Sequence, residues 1–109
     1  MNTSPALRGR KLGILLSTRA EEPPFRHGVK LAEAALDAGV DVYLYCIDEA
    51  VRGVGDEALQ ALKERGLKLY ACAYGAQRRQ LPIDDRAAFA GLTVVNDLMA
   101  STDRFVSFN

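Results

Sequence analysis

KLGILLSTRAEEPPFRHGVKLAEAALDAGVDVYLYCI, residues 11–47, holds two short apolar runs separated by a helical pattern, and that alternation decides the fold. The first run, KLGILLS (11–17), is almost continuously apolar, as in a strand covered on both faces of a parallel sheet. TRAEEPP (18–24) reads as a loop closed by Pro23 and Pro24. From Phe25 the period changes. Phe25, Val29, Ala32 and Leu36 fall on one helical face, and Gly39 stands where a C-terminal cap belongs. VDVYLYCI (40–47), rich in β-branched and aromatic residues, is a second strand.

The same alternation continues outward. DEALQALKERG (56–66) has acids in its first turn, Lys63 and Arg65 in its last, and Gly66 after it, so it predicts a second helix. LKLYAC (67–72) is a third strand and AYGAQRR (73–79) a short helix weakened by Gly75. LPIDDRAAF (81–89) is a connector with room for a short fourth strand around residues 87–89. In GLTVVNDLMAST (91–102), Leu92, Val95, Leu98 and Met99 share a helical stripe; DRFVSF (103–108) closes as a strand. Strands alternating with helices imply βαβ units and helices on both faces of a mainly parallel sheet. The expected fold is α/β, a flavodoxin-like three-layer sandwich with a mainly parallel sheet of about five strands. In the flavodoxin order the first strand lies between the second and third, and ligands collect at the carboxyl ends of the strands.

At 109 residues the chain has room for one core and no second domain. That domain is expected over residues 11–109, with residues 1–10 a frayed terminus that is polar and without periodicity. The formal charge is zero, 14 cations against 14 acids, which leaves no electrostatic footprint for nucleic acid or anionic lipid. The apolar runs are too short to span a membrane. Two cysteines make no disulfide scaffold and no signal-peptide pattern precedes them, so a cytoplasmic protein with reduced thiols is expected.

The chemistry concentrates in LKLYACAYGAQRRQL (67–81). Cys72 stands where the third strand ends and a short helix begins. A thiol reacts as thiolate, and a helix amino terminus and nearby cations favour that form. Gly75 and its small neighbours keep the surroundings open, and Arg78 and Arg79 follow six and seven positions on. Those offsets correspond to about 9–10 Å of helical rise, too far for direct pairing with the sulfur unless the helix breaks at Gly75. The arginines then add positive potential, bind an acidic partner, or offset the carbonyl end of their own helix. A buried cysteine that merely packs is the competing reading for Cys72, and the better one for Cys46. Tyr70 and Tyr74 bracket Cys72 and suit either an interface or the core.

CAYGAQRR, together with GLTVVNDLMASTDRFVSF at the end of the chain, resembles the DsrE/TusD-like (DsrE/DsrF-like) sulfur-carrier family. Members carry a cysteine, small residues, and paired arginines at this offset, and close with Gly-Leu, a helix, Asp-Arg and an apolar strand ending in Phe. DEAV (48–51) is similar to the family's segment after the second strand. Gln80 stands where relatives often have glycine, and the connector from Gln80 to Ala90 is shorter than in the tRNA-thiolation members. The resemblance implies a small sulfurtransferase-like relay protein. Cys72 would be the catalytic carrier thiol, holding sulfur as a persulfide, with Tyr74, Gly75, Arg78 and Arg79 in support. It implies an upstream sulfur donor, a downstream acceptor thiol, and homo-oligomers, commonly trimers or hexamers. One accessible cysteine suffices for this exchange, with no metal or organic cofactor. Two further readings share the fold: a non-catalytic assembly or binding subunit in which Cys72 only packs, and a redox-sensing thiol module.

The remaining candidates are weaker. His27 is the only histidine, so it could assist Cys72 only if the first and third strands were neighbours; a solvated histidine at a helix start is the plainer reading. The loop 18–24 lacks glycine and carries Glu21 and Glu22, which disfavours phosphate binding. Cys46 and Cys72, on strands expected to flank the first, would lie about 10 Å apart, too far for an unforced disulfide.

Overall fold

The computed structural model describes residues 5–109. Its strands are short because each needs to cross only one packed layer, and each alternates its side chains between two covered faces. β1 (Lys11–Leu16), β2 (Asp41–Cys46), β3 (Lys68–Cys72), β4 (Ala88–Ala90) and β5 (Arg104–Phe108) form one sheet in the order β4-β3-β2-β1-β5. Every pairing is parallel; Leu16 lies opposite Cys46 and Phe108, and Cys72 opposite Ala90.

One face carries Ile14, Leu16, Val42, Leu44, Cys46, Leu69 and Ala71. Against it pack α1 (Pro23–Asp37) and α2 (Glu57–Glu64), through Phe25, Val29, Ala32 and Ala35 of the first and Leu59 and Leu62 of the second. Each such aliphatic or aromatic side chain contributes about 1.5–3 kcal/mol on burial. The other face carries Tyr45, Tyr70 and Cys72 on the central strands and Phe105 on β5. It is covered by α3 (Ala73–Arg78) through Ala76 and by α4 (Thr93–Ser101) through Val94, Val95 and Leu98. A 3₁₀ turn, Asp48–Gly53, follows β2 and buries Ala50 and Val51. The expected three-layer α/β sandwich is what the chain forms.

The element boundaries have local causes. Pro23 and Pro24 open α1, where the missing N–H groups cost nothing. Gly39, at φ +90°, ends it; its N–H donates to Leu36 O, and the Val40 N–H to Ala35 O. Asp56 caps α2 by accepting the Leu59 N–H at 3.2 Å.

Two expectations need correction. First, β1 and β3 are not neighbours, because β2 lies between them. The chain steps β1, β2, β3, β4 in one direction and reverses only when α4 carries it back to the free edge of β1. Second, Leu92 and Met99 do not belong to the packed stripe of α4. Both are more than half exposed, and Val94 takes the inward place beside Val95 and Leu98. The segment between β2 and α2 is largely the 3₁₀ turn. Of the frayed terminus expected at residues 1–10, residues 1–4 lie outside the described residues. Residues 5–9 run through exposed turns, with the Gly9 N–H donating to Gly39 O at 3.0 Å.

Candidate functional site

β3 leaves the sheet at Cys72, and the chain turns at once into α3 with Cys72 as its N-cap. An extended backbone there (φ −72°, ψ 115°) turns the sulfur back over the first helical turn, where Sγ accepts the Gly75 N–H at 3.3 Å. A Cβ at position 75 would crowd Val51 and only touch the Cys72 Cβ, so glycine eases the close approach of α3 to the turn after β2. Cys72 is only 5% exposed, yet it lines an open cavity of about 560 Å³ at the carboxyl ends of β2 and β3.

The cavity wall is assembled from three places in the chain. β3 and α3 bring Cys72, Tyr74, Gly75, Arg78 and Arg79; the turn after β2 brings Glu49 and Arg52; the start of α4 brings Leu92. Cys72, Tyr74, Gly75, Arg78 and Arg79, the expected carrier and its supporting residues, thus meet at one site. The arginines nonetheless have other partners than the sulfur. Helix α3 runs unbroken through Gly75, so the separation expected from helical rise stands. Arg79 donates from Nε to Glu49 Oε2 at 2.7 Å and from Nη1 to the Gly75 carbonyl at 3.2 Å. Arg78 lies over the Tyr74 ring, 5.7 Å from its centroid.

Glu49 is the hub that sequence reasoning missed. Besides Arg79 it receives Arg19 Nε and Arg52 Nε, each at 3.0 Å on Oε1. The hydrogen bond from Arg79, then Arg52 and Arg19, hold its carboxyl down at about 2 despite partial desolvation. Lining the cavity, Arg52, Arg78 and Arg79 stand against Asp48 and Glu49, so the wall keeps a small excess of positive charge. Its sequence signal is Glu49 and Arg52 directly after the second strand, in the segment where DEAV carries the family likeness.

Tyr45 was also missed. It is fully buried on the Cys72 face, and its hydroxyl donates to Ala90 O at 3.0 Å. Cys46 is fully buried in the opposite face, and burial pushes its thiol up to about 12. Because Cys46 pairs with Ala71, the two cysteines sit on adjacent strands with side chains on opposite faces. Both are free, and the sheet between them, rather than two strand spacings, keeps them apart. His27 is exposed at the start of α1, on the far side of the sheet from Cys72, so the conceivable Cys–His pair does not form.

Among the described residues no helix is long and apolar enough to cross a membrane. No curated protein matches the sequence. The fold is similar to that in the crystal structure of the ychN protein from E. coli, with a TM-score of 0.73 at 16% identity, over 92% of this chain and 99% of that one. The model of the DsrE/DsrF-like family matches residues 10–108, nearly the whole described chain, and the protein belongs to that family.

Proposed function

We propose that this protein carries sulfur as a persulfide on Cys72 and hands it to a thiol of a partner protein. Family membership supports a sulfur-relay role in general. The observation that carries the specific reading is the placement of Cys72: a free thiol at a strand end, its sulfur held by the Gly75 N–H, opening on an arginine-walled cavity. The exchange balances without an external oxidant. The Cys72 thiolate attacks the outer sulfur of a donor persulfide, forming the new S–S bond and releasing the donor thiolate. An acceptor thiolate then attacks the outer sulfur of Cys72–S–S⁻, and Cys72 leaves as thiolate. The cationic wall favours the carried anion by Coulomb attraction. The apolar rim of Tyr74 and Leu92, 66% and 55% exposed, suits contact with donor, acceptor or another copy of the chain. The reading extends to a homo-oligomer acting in the cytoplasm, checked by sizing chromatography.

The test is intact mass after incubating reduced protein with a persulfide donor. The expected result is a gain of one sulfur, reversed by dithiothreitol and absent in Cys72→Ser. A serine variant that still loads sulfur overturns the assignment. Absence of any adduct points to an assembly subunit, and oxygen adducts alone to a redox sensor.

A further inference from the structure

Tyr45 heads the fully buried side chains by size, and the sheet register shows what it lies beside. Tyr45 is opposite Tyr70 on β3, so Cys72, two residues further along β3, projects from the same face. Ala90 on β4 is opposite Cys72. β4 is two strand spacings from β2, so to bond the Ala90 carbonyl the phenol lies across β3, towards the level of Cys72. Its hydroxyl therefore lies on the Cys72 face of β3, in the same buried cluster as the sulfur and outside the lining of the cavity.

A phenol has one proton to donate. We infer that Tyr45 is a positioning residue for the Cys72 sulfur: its O–H bonds the Ala90 carbonyl when the sulfur is neutral and turns to the sulfur when it is anionic. The proton stays on the phenol in both arrangements, so no covalent bond changes. The inference rests on the reading of Cys72 as a carrier, and it names the group that holds the anionic states of that cycle from within the buried cluster. Hydrogen bonds to an ionised acceptor are stronger than those to a neutral carbonyl, which drives the switch. The phenol also resists ionisation, first through burial and then through Cys72, by charge and by a side-chain hydrogen bond, with Cys46 adding to it. It therefore keeps its proton to donate.

Other groups near the sulfur act from the cavity side. The turn after β2 contributes Asp48, Glu49 and Arg52, and α3 contributes Tyr74, Arg78 and Arg79. Tyr43 and Tyr70 share the buried cluster, while α4 supplies only Val94, Val95 and Leu98 to it. None of these is altered by removing one hydroxyl at position 45.

The experiment follows the rate of iodoacetamide alkylation against pH, in a Cys46→Ala background so that only Cys72 reports. In Tyr45→Phe the midpoint should rise by about one unit, roughly tenfold less thiolate at neutral pH, and a loaded persulfide should decay faster. Tyr70→Phe, which removes a hydroxyl from the same cluster, should leave the midpoint in place. Should Tyr45→Phe fail to fold, 3-fluorotyrosine introduced at position 45 decides the matter. Its more acidic phenol is a stronger donor and should lower the midpoint. An unchanged midpoint in either folded protein overturns the inference. A wild-type protein that takes up no sulfur fails the carrier reading instead, and the alkylation profile still reports on Tyr45.

Discussion

Gln80 sits in the left-handed region at φ +55°, just past the C-cap of α3. Its N–H donates to Gln77 O at 3.1 Å, and the following Leu81 N–H reaches Ala76 O at 2.9 Å, the pattern that closes a helix with a left-handed residue. Glycine takes this conformation without steric cost. Gln80→Gly should raise stability by about 0.5–1 kcal/mol, the steric cost relieved less the entropy glycine adds, as read from urea unfolding. Cys46 demands the opposite kind of residue. It has no surface and no polar partner to offer, so Cys46→Ser should destabilise by about 1–3 kcal/mol through a buried hydroxyl, while Cys46→Ala costs only lost packing.

At the scale of elements, α2 has only eight residues and cannot stand alone. Asp56 ties it down twice. One carboxylate oxygen accepts both the Leu59 N–H and, at 2.8 Å, Arg26 Nη2 from α1. Asp56→Ala should therefore cost about 1–2 kcal/mol, and Asp56→Asn should recover most of that if the cap outweighs the ion pair. Paired urea curves distinguish the two. The 3₁₀ turn Asp48–Gly53 is shorter still, and its place is set by Glu49, which holds the loop after β1 through Arg19 and α3 through Arg79. The wall of the cavity is thus a joint between three connecting segments.

For the whole molecule, Glu49 and Cys46 contribute to the pH dependence of stability at opposite ends. Glu49 is held at about 2, against an ordinary value of 4.5. Below 4.5 the unfolded chain takes up its proton first, so stability should fall as the pH drops from 4.5 through about 2. Glu49→Gln should flatten that limb. Cys46 acts at the other end. Its thiol is raised from 9 to about 12, so its contribution is intact below 9 and lost as the pH climbs towards 12. Cys46→Ala should soften the alkaline loss, and guanidinium titrations across the pH range measure both limbs.

Much of this architecture was legible in the residues. Periodicity located every strand and α-helix within a few positions, because capping residues such as Asp56, Gly39 and Gly66 act on their own neighbours. The Cys72 segment was legible for the same reason, since the cysteine, Gly75 and the arginines share one turn and one short helix. The order of the strands was not, because pairing depends on which edge each crossover reaches, and that choice lies in packing between distant segments. Glu49 and Tyr45 escaped for the same reason. Glu49 meets Arg79 across 30 residues and Tyr45 meets Ala90 across 45, contacts that exist only once the sheet has closed. Local sequence determined which residues could do chemistry; tertiary structure alone decided their neighbours, because burial and charge act through space rather than along the chain.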